Sequence, residues 1–503
     1  MFVHLRRLSA QTLIYGLGEV ATRLAALLLL PVYTRILTPA DYGKLAIVAL
    51  VTTVVAIILN SGQSSAFFRF YFQNESQNTR RKLTGTVLIF LLVSATAILL
   101  PLILFFGPLA APLFKDVTLL PLIKIALIGT FFDVGSVIPF ATFRAEQRAA
   151  RYAKLSVLRF FINVTLNIIA VVVLRQGVIG VIYANLLTSI LFFMVCLGLT
   201  LRTMEWTVDL SLLKQLLRFG LPIVPANLAG WALALSDRFF LQRYSGLGQV
   251  GIYAVGYSMA GILSMLTGWF NTAYAPYVYS ISKQSDAKVV YARVLTYAIT
   301  LFTLVGLGLA LFAREALVLL TRPAYYGAAR IVPLIVLAYL FFEVSYLISF
   351  GLDLTGKTGY YPFIVGAGAV VNLFLNLALI PPFGMMGAAV ATVLSYMLLP
   401  IIGYFIVRRL YPVPYEWRRL LKLALVSVGV YLAGVVLKTG KLWIDLGMEI
   451  MLVLTWGLAL YGWRFFTQSE LVTARSTTSK GLHICQVRLR CGVSKVRRVI
   501  GRW

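Results

Sequence analysis

Hydrophobic positions in this chain gather into blocks of about 20 residues, the length that carries a helix across roughly 30 Å of hydrocarbon. Polar stretches of mostly 5–20 residues separate the blocks. They predict membrane spans near 11–36, 42–66, 83–106, 117–141, 153–174 and 177–201. A second set falls near 216–243, 248–271, 293–313, 328–350, 360–380 and 385–407, and a last pair near 420–437 and 444–463. Fourteen helices with short loops leave no soluble domain, so the expected fold class is an all-α integral membrane protein. Composition agrees: 503 residues that are 60% hydrophobic and 12% charged, with mean hydropathy +0.88, exclude an ordinary soluble globule. The start, MFVHLRRLSAQTLIYG, is basic like a signal peptide. No small-x-small cleavage site follows and the apolar run outlasts a signal-peptide core, so it reads as an uncleaved first span.

Charge sets the expected orientation. With the N-terminus in the cytoplasm, 31 of the 45 Lys and Arg residues fall in cytoplasmic segments, 10 in outside loops and 4 within spans (Arg23, Lys124, Arg159 and Arg238). This bias places both termini inside. The net charge of +28 then reads as topology plus attraction to anionic lipid headgroups, not as nucleic-acid binding, and the basic end SKVRRVIGRW (494–503) is expected on the membrane surface.

The chain also resembles itself. RILTPADYGKLA (35–46) lies over RYSGLGQVGIYA (243–254) at offset 208, matching Arg35 to Arg243, Gly43 to Gly251 and Ala46 to Ala254. At offset 209, Arg148 meets Lys357, Tyr152 meets Tyr361, and Asn163 and Asn167 recur as Asn372 and Asn376. GVIGVIYANLLTS (177–189) matches GMMGAAVATVLSY (384–396) at offset 207, with Gly177/Gly384 and Gly180/Gly387 identical. Each match is weak alone, because small residues are common in packed membrane helices. The same order at a nearly constant offset argues for duplication. Each unit has six spans, an even number, so the repeat is parallel, the arrangement of two lobes around a pathway of alternating access. The expected organisation is a first lobe over 1–207, a second over 208–415, an accessory two-span segment over 416–463 and a basic cytoplasmic tail over 464–503.

Charges inside hydrocarbon demand a reason, since each costs at least roughly 2.5–3.5 kcal/mol on insertion scales. The first span holds Glu19 and Arg23 at i and i+4, on one helix face, where they can neutralise each other. Their matched positions are Asn227 and Trp231, while Asp237 and Arg238 match Leu29 and Leu30, so these charges belong to single lobes. Arg23, Arg159, Arg238 and Arg35 are candidates for a cationic substrate cavity, because Arg grips phosphate bidentately and keeps its charge. Helix packing or headgroup snorkelling is the structural alternative, and for Lys124, near a span end, the better one. Glu19 and Asp237 are the expected charge partners. Asp237 and Arg238 diverge by about 100° on a helix, so one of them is expected to pair across the lobes.

Asp133 and Glu343 are the isolated acids open to a coupling ion, since a desolvated carboxylate can exchange a proton; solvated helix caps are the plainer alternative. The aromatic stretch FNTAYAPYVYS (270–280) reads as an interfacial belt, with sugar stacking at a cavity mouth as the rival. Prolines within or near spans, such as Pro31, Pro101, Pro139 and Pro276, supply kinks. The histidines, His4 and His483, lie outside the spans, which leaves an intramembrane His-dependent enzyme without a candidate. Cys485 and Cys491 have neither zinc nor disulfide spacing, and no cofactor is implied.

The segments PVYTRILTPADYGKLA and RFGLPIVPANLAGWALALSDRFFLQRY, with the G-x-x-G-x-x-x-A elements of the sixth and twelfth spans, resemble the polysaccharide-biosynthesis flippases of the multidrug/oligosaccharidyl-lipid/polysaccharide exporter superfamily over roughly 8–460. The resemblance implies fourteen spans in two six-span lobes. It implies transport of an undecaprenyl-pyrophosphate-linked glycan from the inner to the outer leaflet of a bacterial inner membrane, for O-antigen, exopolysaccharide or capsule. Polysaccharide polymerase and chain-length machinery are the partners it suggests beyond the glycan and anionic lipids. An ion-coupled multidrug exporter of the same superfamily is the main rival; a membrane glycan polymerase or ligase and a passive assembly partner are weaker ones.

Overall fold

The computed structural model describes residues 28–470, apart from 75, 111, 115, 147, 202–203 and 469. The described residues form helices and no strands. They fall into two compact units, one running to Tyr415 and one from Glu416.

In the larger unit the end of α1 (28–36) leads into α2 (Pro39–Asn60), α3 (Gln63–Gln73), α4 (Gln77–Leu104), the short α5 (Phe106–Ala110), α6 (Leu119–Ala145) and α7 (Ala149–Ile168). A π turn (Ile169–Val173) and α8 (Gly177–Thr200) complete the first sequence repeat, the expected first lobe. A connector carries α9 (Leu210–Gly220). The second lobe holds α10 (Val224–Tyr244), α11 (Leu247–Ile281), α12 (Ala287–Leu311), α13 (Ala313–Leu320), a 3-10 segment (Pro323–Arg330), α14 (Val332–Leu354) and α15 (Tyr360–Leu410).

Local sequence explains the joints. Thr38 caps α2: its hydroxyl accepts from the Asp41 N–H while the Asp41 carboxylate accepts from the Thr38 N–H, with Pro39 preset at the first helical position. Asp209 caps α9, and hydrogen bonds from Ser211 and Leu212 hold its carboxyl below the ordinary range.

Twelve helices among the described residues are long and apolar enough to span a membrane. The expected fourteen differ in two places. Residues 11–27 of the first expected span lie outside the described residues, and the spans at 360–380 and 385–407 form one 51-residue stretch, α15. At 1.5 Å per residue such a stretch far exceeds a bilayer, and it is broken at Gly384, where φ +55° and ψ −133° follow Pro381 and Pro382. The matched Gly177 also has positive φ, +60°, a conformation that glycine adopts without strain. Three residues on, a side chain at Gly180 would meet the Ala170 carbonyl and one at Gly387 the Leu379 carbonyl, and 170 and 379 are themselves repeat partners. The same tight turn was thus built twice.

The smaller unit is a hairpin of α16 (Trp417–Leu437) and α17 (Leu442–Gly462). Trp456 donates to the Ser427 hydroxyl at 2.8 Å, and Lys438 pairs with buried Glu449 at 3.1 Å. Arg419 bridges Glu416 and Glu470. Leu421, Leu425, Val428 and Leu432 on one helix, with Leu454 and Leu458 on the other, are exposed. Polar groups pair inward and apolar side chains face outward, the pattern hydrocarbon requires.

Candidate functional site

Within the larger unit the two sequence repeats, the expected lobes, meet along α2. At its start Gly43 faces the Leu247 carbonyl and the Gly251 N–H, while Gly251 faces the Pro39 carbonyl and the Gly43 N–H. Pro39 and Leu247, like Gly43 and Gly251, stand 208 residues apart, so the contact is reciprocal, as a twofold relation between the lobes requires. Tyr325 donates to the Leu37 carbonyl at 3.0 Å and packs edge-on against Tyr42. Arg35 donates to the Leu319 carbonyl at 2.9 Å. Arg35, expected in a cavity wall, is therefore occupied as a tie between lobes. Deeper along α2, Trp231, the position matched to Arg23, donates to the Leu50 carbonyl at 3.2 Å.

In the first lobe α7 carries Arg159, Asn163 and Asn167 at successive i, i+4 positions, a polar stripe on one face. Asp133 of α6 accepts from Arg159 at 2.6 Å, with the two side chains 44% and 31% exposed, and the guanidinium lies 4.7 Å over the Phe192 ring. Asn163 and Asn167 both donate to Asn185 of α8, at 2.9 and 3.2 Å, and Tyr33 of α1 donates to Asn167 at 2.7 Å. Asp133 is thus not the isolated acid expected: its charge is held by Arg159. Both groups sit mid-helix and half-exposed, where bare contact with hydrocarbon would be costly. Glu19 and Arg23 lie outside the described residues.

The second lobe treats its charges differently. Asp237 and Arg238 are 1% and 7% exposed. Arg238 donates to the Asp237 carboxylate through its backbone N–H at 2.8 Å and its Nη1 at 2.9 Å, and Tyr253 donates at 2.6 Å. The same Nη1 donates to the Ala234 carbonyl, and the guanidinium lies over Tyr257. Expecting one of them to pair across the lobes was wrong, because the long Arg stem curls back over a neighbour that diverges only at Cβ. Arg238 consequently offers no open cationic surface in this conformation. Next to it Asn372 accepts from Asn376 at 2.8 Å and from Ser236 at 3.3 Å. The Asn pair recurs in both lobes and in each binds the lobe's first helix, Tyr33 in one and Ser236 in the other. The charges beside the Asn pair differ between the two repeats.

Glu343 of α14 is 1% exposed, and its Oε2 accepts from Asn271 of α11 at 3.1 Å. The stretch 270–280 packs largely on itself and on α14: Phe270 stacks on Tyr274, and Tyr274, Tyr279 and Tyr346 surround Phe350. A cavity of about 300 Å³ opens at the end of α15 between Tyr404, Arg408, Tyr411 and Tyr415. No cluster of metal ligands occurs among the described residues. Sequence reasoning missed Tyr33, Asn185 and Asn271; an amide one turn from Thr267 within an apolar span was the available signal for the last.

Residues 32–327, more than half of the chain, match the family described as Polysaccharide biosynthesis protein. The Lsg locus protein 1 of Haemophilus influenzae is 23% identical over 308 residues, 58% of this chain and 71% of that protein. An uncharacterized membrane protein of Methanocaldococcus jannaschii is 24% identical over 204 residues, 40% of each chain. Among solved structures, the lipid II flippase MurJ in an inward closed conformation aligns at 14% identity with TM-score 0.73, over 89% of this chain and 99% of that one. An inward-facing multidrug resistance MATE transporter aligns at 18% identity with TM-score 0.59, over 80% and 97%. Two helical repeats joined at a reciprocal glycine crossing therefore carry the fold these transporters share, and the chain belongs to the polysaccharide biosynthesis protein family.

Proposed function

We propose that this protein is a flippase that moves a polyprenyl-pyrophosphate-linked oligosaccharide from the cytoplasmic to the outer leaflet of a bacterial inner membrane, with no bond chemistry of its own. The observation that carries the reading, beside family membership, is the half-exposed Arg159–Asp133 pair at the foot of the α7 polar stripe. Such a pair is stable at mid-membrane depth where it faces a watered, polar path. Arg159 can exchange its carboxylate partner for the pyrophosphate of an arriving cargo, one charge-assisted contact for another.

Arg23, from the first span, is the second cation assigned to this path, with Glu19 tempering it. The lobes 1–207 and 208–415 rock about the α2 seam. With both termini cytoplasmic, the Gly43–Gly251 crossing, Arg35 and Tyr325 lie at the outer end, so this conformation is closed toward the outside.

Protein in vesicles is expected to speed leaflet exchange of a polyprenyl-pyrophosphate glycan. Arg159→Gln is expected to slow it by about 10- to 100-fold, the worth of a hydrogen bond to a charged group; Arg23→Ala is expected to abolish it. No acceleration by the parent protein, together with normal surface polymer in a strain lacking it, would end this reading. A multidrug exporter uses the same fold, and the internal pairing of Asp133 and Asp237 with arginines means that intramembrane charge does not separate the two. Drug-resistance profiling of the deletion strain does, since only the exporter reading expects sensitisation.

A further inference from the structure

Glu343 is a carboxyl buried to 1% exposure with no cationic partner among the described residues. Its Oε2 accepts from the Asn271 amide. The remaining oxygens of this pair, Glu343 Oε1 and Asn271 Oδ1, are both buried and both lack a hydrogen-bond donor. The Thr267 hydroxyl also approaches the carboxyl, but its single proton is directed at the Ser264 carbonyl, 3.1 Å away. The ionisable groups recorded beside Glu343 are neutral phenols, Tyr274 on α11 and Tyr346 one turn along α14.

Two orphaned acceptors in one hydrogen-bonded pair need one proton. A carboxylic acid and a primary amide join through two bonds, amide N–H to the acid carbonyl and acid O–H to the amide carbonyl. Here the first bond is present, and a proton on Oε1 would supply the second, leaving neither oxygen unpaired. An ionised carboxylate at the same place would be a buried charge without a partner, one of the costliest arrangements in a protein interior.

We infer that Glu343 is a proton-binding site of the second lobe, loaded in this conformation and sealed by Asn271, which gives up its proton only when α11 and α14 part and admit water. On the flippase reading, which this step rests on, that proton is the ion coupled to the return of the lobes. The site itself makes no use of the glycan.

The test is infrared difference spectroscopy of the full chain in lipid vesicles, with the proton as the only ligand varied. At neutral pH the parent is expected to show the carbonyl stretch of a protonated carboxylic acid that Glu343→Gln lacks, shifted in Asn271→Leu as the hydrogen bond is lost. Glu343→Gln mimics the protonated acid, its amide N–H reaching Asn271 in place of the acid proton, so it is expected to fold. The parent's melting temperature should fall from mildly acidic to mildly alkaline pH as the proton is stripped, while that of Glu343→Gln stays level. Carboxylate absorption alone at neutral pH would overturn the inference. So would stabilisation by sodium, absent with potassium and lost in Glu343→Gln, because a metal cation would then fill the site. A missing acid band in vesicles that still flip glycan removes only the proton site, and an intact band in vesicles that flip nothing removes only the flippase.

Discussion

Gly251→Val is expected to empty the closed state of the lobe seam. A Cβ at Gly251 runs into the Pro39 carbonyl and the Gly43 N–H, which are backbone atoms of a facing helix and not side chains able to rotate away. Pro39 cannot retreat easily, since it opens α2 under a Thr38 and Asp41 capping box. Overpacking a tight contact costs about 1–3 kcal/mol, and against backbone the upper end applies, a loss of about 100-fold in the closed population. Spin labels at the exposed positions Val117, beside the Lys44–Asp116 pair at the start of α2, and Leu319 report that population as a distance across the seam. Gly261→Val on the same helix is the control, because nothing lies within 4 Å of a Cβ there. A closed-state peak of equal weight in parent and Gly251→Val would show that the crossing does not hold the lobes together.

This seam shows what the sequence made readable. Apolar blocks of bilayer length located the helices, because hydrocarbon leaves the backbone little choice but to pair within its own segment. The repeat offset found Gly43/Gly251 and Gly177/Gly384, since close backbone approach and positive φ leave glycine as their trace. The break in α15 was placed between 380 and 385, where Pro381, Pro382 and Gly384 now stand. What could not be read was pairing. Asp133 looked isolated because its partner lies 26 residues away on another helix, and Asp237 with Arg238 looked divergent because periodicity tracks Cβ directions and not the reach of an Arg stem. Asn271 carried no charge and so raised no question, although its amide is the donor to Glu343 Oε2. Arg35 was recognised as a cation near the pathway, but its carbonyl partner, Leu319, is a backbone atom with no signature in sequence.

The pairing also turns Arg238 from a cavity candidate into a test of structure against function. Arg238→Met is expected to destabilise the protein by about 3–5 kcal/mol, because it leaves the Asp237 carboxylate buried without its cation. Asp237→Leu alone strands the guanidinium at a similar cost. The double variant Asp237→Leu/Arg238→Met removes both charges and is expected to recover most of that stability, since a buried ion pair replaced by well-packed apolar groups is often neutral or better. Tyr253 then loses its carboxylate acceptor but keeps the Thr392 hydroxyl 3.5 Å away. Thermal unfolding of the four proteins in lipid measures the coupling directly as a double-mutant cycle. Leaflet exchange by the stable double variant completes the test: near-parental exchange assigns the pair to the scaffold of the second lobe and leaves Arg159 and Arg23 as the phosphate-facing cations. Loss of exchange from a fully folded double variant would mean that Arg238 breaks from Asp237 during the cycle and meets cargo in a conformation open to the other side.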